Sequence, residues 1–429
     1  MTTRTGVIRP LRNNAPLRPL IVFGNPGDKR TGGIQQARLR LGQPPALIVP
    51  YAGLLEGRTL EDLLAVQQKE LPWAAAGTTA SPLLRLDSPG GSFETEQALI
   101  ALGSPEAGDA DDRLHPFGAR PDPRPLGLAA AGRLKPQPGV LHHPSQWFRG
   151  YCRMLARLQR EAAGMFPQAL WINDPAEIAA MTDKRRAQQI LAGSGVPIPR
   201  PLGDGQGPAD YASLREAMRM QRMHRIFIKL ACGSAASGVI AYQINPTTGA
   251  EIALTTVGVE DYITRPPLYY NSGKLRRYTD TASISGIIDW LCRHGAYAEQ
   301  WIPKTGPDGR SFDVRQLVVN GEACHAVARV SRTPITNLHL RNKRMSLAEA
   351  GLDEAARARI GRTAESALAA FPLSAIAGID VLVSKNSQQP YVADVNPFGD
   401  LLYEVDYRGY GTYEWEMKVL AGQIKDGSP

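Results

Sequence analysis

Apolar and polar residues in the first part of the chain alternate between short buried-type strands and amphipathic helices. Apolar runs predict strands at residues 19–23, 46–51 and 170–174. Helical spacing predicts helices at residues 35–41, 60–71 and 93–102, with Ser92 placed to cap the last of them. Because strands that alternate with helices build a parallel sheet, the pattern predicts an N-terminal parallel α/β domain over residues 19–170, after a loose tail at residues 1–18.

One long stretch of this region lacks periodicity. Residues 104–146 are rich in Pro, Gly, Asp and Arg, with helical spacing only near residues 126–131. A stretch of that length inside an enzyme is usually a lid, a substrate loop or a linker. The sequence leaves these three alternatives open.

The middle of the chain predicts a strand, a loop of small residues and a second strand. Residues 226–230 and 239–242 are the apolar runs, and residues 233–238 fill the loop with Gly, Ser and Ala. Backbone N–H groups in such a loop can close over phosphate oxygens, and Lys229 at the strand end is placed to reach the same anion. The alternative is a small-residue hairpin with a solvated lysine. No Gly-Lys-Ser/Thr follows, so this is not the phosphate loop of GTPases.

The last third of the chain predicts strands joined by tight turns. A strand at residues 296–302 precedes a hairpin whose Asn320-Gly321 turn is a strong hairpin signal. Asp313 and Arg315 share a face of its first strand, where a structural ion pair is one interpretation. An arginine-rich polar loop at residues 329–341 suits carboxylates or phosphates. Helices are predicted at residues 283–293, 347–370 and 412–424.

Two apolar strands near the C-terminus carry oxygen-bearing side chains. Residues 379–383 and 391–396 are joined by a turn, which is typical of a hairpin. Asp394 and Asn396 are two residues apart and share a face, and Asp380 is far enough upstream to lie opposite them. Oxygen ligands without His or Cys suit a hard cation such as magnesium, which usually shares its ligand shell with phosphates. The alternative is a strand end at which Asn396 caps the following turn.

Composition restricts the class of protein. The 429 residues are 43% apolar and 21% charged, which is typical of a globular chain of two or three domains. The net charge of +8 is spread along the chain and suits polyanionic ligands, nucleotides included. Four separated cysteines form no zinc or disulfide spacing, and no apolar run reaches the length of a membrane span. We therefore expect a cytoplasmic protein without a membrane partner, and we recognise no nucleic-acid-reading module.

Taken in order, these features resemble the ATP-grasp superfamily, particularly its D-alanine–D-alanine ligase, glutathione synthetase and ribosomal S6 glutamate ligase branch. The match runs from Trp171 to Leu402. Lys184 and Lys229 match the two phosphate-binding lysines of the family, and the resemblance implies the following further roles. Phosphates would be covered by the loop residues Gly233, Ser234, Ser237 and Gly238. The ATP-binding hinge would be Glu299, Gln300, Trp301 and Ile302, with backbone groups of the first and last of these paired with adenine. The Asp-x-Arg strand would be Asp313 and Arg315, and the metal ligands would be Asp380, Asp394 and Asn396.

The resemblance implies an α/β chain with an ATP-grasp fold, in which two α+β subdomains grip ATP after the N-terminal parallel α/β domain. Residues 171–298 would form the lid subdomain, and residues 299–429 the C-terminal subdomain with the metal site. The implied activity is that of an ATP- and magnesium-dependent carboxylate–amine ligase, with manganese as an alternative cation. The carboxylate of a small molecule or peptide would become an acyl phosphate, from which an amine acceptor would displace phosphate.

Several features depart from the family or leave a choice open. Asp394 stands where the family usually has glutamate, and its shorter side chain favours one metal ion over two. Residues 397–399 replace the usual Ser-x-Gly. Besides Arg315, the catalytic arginine on the transferring phosphate is Arg329 or Arg332, and we favour Arg329 because it ends a strand.

Two rival hypotheses accompany the ligase. One is an ATP-binding protein of the same fold that regulates or assembles without ligase turnover, which the Asp394 departure favours. The other is nucleic-acid binding. A ligase that used an aminoacyl-tRNA as its amine donor would combine this hypothesis with the ligase hypothesis. The acid, the amine and the presence of a homodimer, common in the family, stay open.

Overall fold

The computed structural model of the chain describes residues 18–67, 81–107, 122, 124–233, 237–304, 306, 309–336, 342–385 and 387–422. Three sheets lie within these residues, one of four strands and two of five strands. No helix in the described ranges is long and apolar enough to cross a membrane.

The first sheet is parallel, with the strand order β2-β1-β3-β4. Its strands are β1 (Leu20–Gly24), β2 (Leu47–Pro50), β3 (Leu83–Leu86) and β4 (Leu170–Trp171). The helices of this region are α1 (Lys29–Arg40), α2 (Tyr51–Leu55), α3 (Leu60–Gln67), α4 (Phe93–Leu102), α5 (Leu128–Ala131) and α6 (Pro144–Met165). The predicted N-terminal parallel α/β layer is therefore confirmed.

Local capping explains where two elements of this region begin and end. Ser92 accepts a hydrogen bond from the backbone N–H of Thr95 and caps α4, as predicted. The strand predicted over residues 170–174 ends early, because Asp174 accepts a bond from the N–H of Ala176 and begins the next helix.

Helices α4 and α6 cross at two glycines. A Cβ atom on Gly150 would lie 1.8 Å from the carbonyl oxygen of Leu99, and one on Gly103 would lie 1.9 Å from that of Gln146. Each glycine thus makes room for the backbone of the opposite helix. This close approach brings α6 against the core of the first sheet, where Tyr151 is fully buried.

The second sheet is antiparallel, with the strand order β8-β7-β6-β5-β9. Its strands are β5 (Arg225–Leu230), β6 (Val239–Ile244), β7 (Glu251–Glu260), β8 (Leu268–Tyr278) and β9 (Ala296–Gln300). The helices of this region are α7 (Pro175–Thr182), α8 (Lys184–Gly193), α9 (Tyr211–Met220) and α10 (Thr281–His294). One face packs on α9 and α10 through Leu214, Ile226 and Ile288. Sequence patterns gave no prediction for β7 or β8. The Tyr/Arg-rich segment of β8 lacks alternation, whereas in β7 the alternation of apolar residues is interrupted by an irregularity between Thr255 and Val257.

The third sheet is antiparallel, with the strand order β12-β11-β10-β13-β14. Its strands are β10 (Ser311–Val319), β11 (Glu322–Ser331), β12 (Lys343–Met345), β13 (Ile376–Val383) and β14 (Pro390–Asn396), and its core is closed by α8 and α11 (Glu354–Ala369). The Asn320-Gly321 turn is confirmed, because both residues have positive φ, at 48° and 85°. The predicted start of a helix at residue 347 is wrong, since Asp353 caps the helix that follows it. Helix α12 (Thr412–Leu420) ends the described chain.

Part of the aperiodic segment at residues 104–146 contacts the second sheet. The N–H of Leu141 donates to the carbonyl of Tyr269 at 3.0 Å, and the N–H of Asn271 donates to the carbonyl of Gly139 at 2.7 Å. These bonds lie beside strand β8, so the segment tethers the first region of the chain to the second sheet.

One carboxylate strengthens this tether. Asp122 accepts a hydrogen bond from Ser145 Oγ at 2.9 Å and lies 3.4 Å from His143 Nδ1 and 3.3 Å from His294 Nδ1, at the end of α10. Burial opposes its charge, but the hydrogen bonds from the two histidines hold the pKa of Asp122 below its usual range.

Candidate active site

Two lysines meet strand β14 in the cleft between the antiparallel sheets. Lys184 begins helix α8, and its Nζ lies 3.1 Å from Asp394 Oδ2 and donates to the carbonyl of Gly233 at 2.9 Å. Lys229, on β5, lies 2.5 Å from Glu299 Oε1 and donates to the carbonyl of Ala393 at 3.0 Å. The two predicted phosphate-binding lysines are therefore brought to the same strand.

Each lysine has a buried or partly buried carboxylate as its partner. Burial disfavours the charge of Lys184, but Asp394 outweighs it and raises the pKa of the lysine. Burial raises the pKa of Glu299, while Lys229 opposes that shift. Glu299 is 1% exposed, so its charge depends on the ammonium of Lys229. The sequence placed Glu299 in the hinge for its backbone and gave no sign of this side-chain pairing.

The predicted hairpin register of the acidic residues is confirmed. Asp380 on β13 lies opposite Asp394 on β14, next to an irregularity in the ladder. Arg315 Nε and Arg329 Nη2 contact Asp380 Oδ1 at 2.5 and 2.9 Å. Burial opposes the charge of Asp380, but the two arginines lower its pKa to about 2, so it is a carboxylate at neutral pH. Asn396, two residues after Asp394, donates from Nδ2 to the carbonyl of Gly378 at 2.9 Å.

The arginines connect three carboxylates into one network. Arg329 Nε and Nη2 donate to the two oxygens of Asp313 at 2.7 and 2.8 Å. Arg315 Nη1 contacts Asp400 Oδ2 at 2.7 Å. Asp313 and Arg315 share a strand face as predicted, but each has its own partner instead of pairing with the other. Asp400 was missed by the sequence patterns, because it follows a turn and belongs to no periodic element.

The remaining predicted residues belong to the small-residue loop, to the hinge and to the arginine-rich loop. Ser237 accepts a bond from Asn271 at 3.0 Å, and Gly238 has a positive φ of 66°, whereas Ser234 lies outside the described residues. Gln300 ends β9. Arg332 is exposed and has no contact with the arginine network within the described residues, so the structure brings only Arg329 of that pair to Asp380.

Two apolar clusters lie beside the lysines. Phe227 shares the strand face of Lys229 and packs with Ala241, Ile335 and Trp301, whose ring centroid is 5.3 Å from that of Phe227. A second cluster on the third sheet contains Ile302, Leu382 and Ala393. The arrangement places these two apolar clusters next to a region of paired charges. Alternation along β5 could have identified Phe227, since it is two residues before Lys229.

The oxygen donors fit a hard divalent cation in their chemistry. Asp380, Asp394 and Asn396 supply carboxylate and amide oxygens from two neighbouring strands, without nitrogen or sulfur ligands. No group of three or more His, Cys, Asp or Glu residues that could hold a metal occurs in the described part of the chain. The amide of Asn396 is therefore needed to complete the predicted set. The carboxylates now contact Lys184, Arg315 and Arg329, which a cation would have to replace.

Two antiparallel sheets, with Lys184 and Lys229 directed at strand β14 of the third sheet and a parallel α/β region before them, are the arrangement expected from the resemblance to the ATP-grasp superfamily. No protein-family model and no curated protein matches the sequence. Solved structures similar to the chain include the ATP-grasp ligase PsnB in complex with a precursor variant, Mg and ADP, at 14% identity and a TM-score of 0.45, covering 95% of this chain and 99% of that chain.

Two further solved structures have the same level of similarity. D-cycloserine synthetase DcsG is 12% identical, with a TM-score of 0.48 and coverage of 95% of this chain and 100% of that chain. The D-alanine–D-alanine ligase from Bacillus anthracis is 11% identical, with a TM-score of 0.43 and coverage of 94% and 96%.

Proposed function

We propose that the chain is an ATP-dependent carboxylate–amine ligase that forms an amide or peptide bond through an acyl phosphate. The observation that supports this is the convergence of Lys184, Lys229, Asp380 and Asp394 on one cleft between two antiparallel sheets. Lys184, Lys229 and the hairpin of Asp380 and Asp394 come from three separate parts of the chain, and two apolar clusters lie beside their charged groups.

The cleft matches the parts of a nucleotide. The apolar clusters of Phe227 and Leu382 would hold the base, and the ammonium groups of Lys184 and Lys229 would face the phosphates. Residues 233–238 would cover them with backbone N–H groups. Asp380, Asp394 and Asn396 would hold magnesium, which supplies charge neutralisation for the triphosphate.

Positioning and charge stabilisation would supply the rate. A substrate carboxylate oxygen would attack the γ-phosphorus, the bond from that phosphorus to the ADP oxygen would break, and the amine would then displace phosphate from the acyl carbon. Arg329, held by Asp313 and directed at Asp380, is the arginine that we assign to the transferring phosphate. No side chain need act as the nucleophile.

The test measures release of ADP and phosphate from ATP and Mg²⁺ in the presence of arrays of carboxylic acids and amines. With a substrate carboxylate labelled with ¹⁸O, the ligase mechanism transfers one labelled oxygen to the released phosphate. Lys184→Met is the active-site variant, and Lys343→Met, on an exposed edge strand, is the matched control.

We expect turnover and label transfer in the wild type and the control, and neither in Lys184→Met. Nucleotide binding without turnover for any acid and amine would favour the rival, a regulatory or assembly protein of the same fold. Turnover without ¹⁸O in phosphate would contradict the acyl phosphate.

A further inference from the structure

Lys304 is a cleft lysine that no sequence motif identified. It follows the hinge strand β9, in the segment that leads to β10, and its Nζ donates to Thr336 Oγ1 at 3.0 Å. Thr336 in turn donates to Asp313 Oδ2 at 2.6 Å, which links Lys304 to the carboxylate that orients Arg329. The side chain is therefore fixed at the edge of the arginine network.

Its electrostatic situation differs from that of the other cations in the cleft. Lys184, Lys229, Arg315 and Arg329 each contact a carboxylate within 3.1 Å. Lys304 takes part in no ion pair with any of the described residues, and its hydrogen-bond partner is a neutral hydroxyl. Lys304 is partly buried, and the carboxylate of Asp313, beyond Thr336, offsets the cost of this burial only in part. An anionic ligand in contact with Nζ would complete the pairing of its charge.

The position of Lys304 indicates which part of a ligand it would contact. Its Nζ is 6.0 Å from the ring centroid of Phe227, which belongs to the first of the two apolar clusters. Along β5, Phe227 lies two residues before Lys229, and Gly233, whose carbonyl accepts from Lys184, follows Lys229 on the other side. Lys304 therefore lies between the apolar cluster of Phe227 and the charged side chains of Lys229 and Asp313. With the base held at the apolar cluster, as proposed above, this is the place of the first phosphate after the ribose.

We propose that Lys304 binds the phosphate oxygens of the nucleotide next to the ribose, and that this third ammonium adds affinity for every nucleotide that carries a phosphate. The inference rests on the proposed nucleotide site. It assigns Lys304 a role in binding and positioning, without bond making or breaking at its Nζ.

Proton uptake by Lys304 on nucleotide binding is a measurable quantity that a merely structural role of this lysine would not affect. Burial lowers the pKa of Lys304 to about 8, so the free protein loses this charge as the pH rises through that value. A phosphate beside Nζ favours the ammonium form, and binding near pH 8 should therefore take up a fraction of a proton. Arginine at this position stays charged and cannot take one up.

The experiment is isothermal titration calorimetry with ADP and Mg²⁺, without acid or amine, for the wild type, Lys304→Met, Lys304→Arg and the exposed control Lys343→Met. Loss of a charged hydrogen bond predicts about tenfold to hundredfold weaker binding of ADP by Lys304→Met, whereas Lys304→Arg and the control stay within about threefold of the wild type. Adenosine, which has no phosphate, should bind the wild type and Lys304→Met alike.

Titrations at pH 8 in buffers of different ionisation enthalpy should reveal proton uptake in the wild type and in Lys343→Met, and none in either Lys304 variant. Thermal melting of Lys304→Met at or above the wild-type temperature would establish that it folds. Equal affinity of the folded Lys304→Met variant and the wild type for ADP would overturn the inference alone. Failure of the wild type to bind ADP would overturn both the inference and the proposed function.

Discussion

Replacing Lys229 by methionine separates the structural contribution of this lysine from its contribution to chemistry. The exposures of the Lys229 and Glu299 side chains are 11% and 2%, and the methionine leaves a buried carboxylate without its counter-charge. Breaking a buried ion pair by removing one partner costs about 3–5 kcal/mol. We therefore expect Lys229→Met to lower the free energy of unfolding by about that amount at pH 8.

The pH dependence of this loss follows from Glu299. Burial already raises the pKa of Glu299, and without Lys229 the pKa rises further. A carboxyl whose folded pKa exceeds its unfolded value, about 4.3, contributes stability below that value and loses it as the pH rises through the folded pKa. Urea unfolding should therefore show a smaller defect at pH 5 than at pH 8.

A second substitution provides the control. Because Glu299→Gln removes the unpaired charge, the double variant Lys229→Met/Glu299→Gln should recover most of the stability at pH 8. It should nevertheless release no ADP from ATP, since the ammonium facing the cleft is still absent. Wild-type stability of Lys229→Met at pH 8, or a double variant no more stable than Lys229→Met, would refute the reasoning.

Three other substitutions have defined outcomes. Gly150→Ala should lower the free energy of unfolding by about 3 kcal/mol or more, because the new Cβ would lie 1.8 Å from a backbone oxygen. Gly164→Ala on the same helix is the control: its Cβ meets nothing within 4 Å, and the substitution should raise the free energy of unfolding by about 0.5 kcal/mol. Equal effects of the two substitutions in urea unfolding would contradict the close approach of α4 and α6. Arg329→Gln should abolish ATP turnover and Arg332→Gln should leave it near wild type, and loss of turnover in both would return Arg332 to the site. Asp122→Asn should lower the melting temperature at pH 7. Because the folded pKa of Asp122 is depressed, this difference should narrow as the pH falls below about 4, and a constant difference would exclude its charge as the cause.

The sequence predicted those parts of the site that are carried by local patterns. The hairpin of Asp380 and Asp394 follows from two apolar strands and a turn, and Lys229 follows from a strand end beside a small-residue loop. Lys184 was predicted only through the resemblance to the ATP-grasp superfamily. Strand β8 was missed because it lacks alternation and is stabilised by its neighbours, and β7 was missed because an irregularity between Thr255 and Val257 interrupts its alternation.

The partners of the charged residues could not be predicted for a related reason. Glu299 pairs with Lys229 across two strands, and Asp400 pairs with Arg315 across 85 positions of the chain. Such contacts depend on strand register and on turns, and no spacing rule connects residues that far apart. Lys304 was missed because a single lysine after a hinge strand has no pattern that distinguishes it from a surface residue.

The carboxylates that pair with the two lysines have a consequence for which polyanions can bind. Asp394 and Glu299 already balance the two lysines, so an incoming polyanion that displaced them would leave negative charges stranded next to its own. A triphosphate that arrives chelated to a divalent ion brings the compensating charge with it. We expect the cleft to reject bare polyphosphates and the phosphodiester backbone, despite the net charge of +8 on the chain.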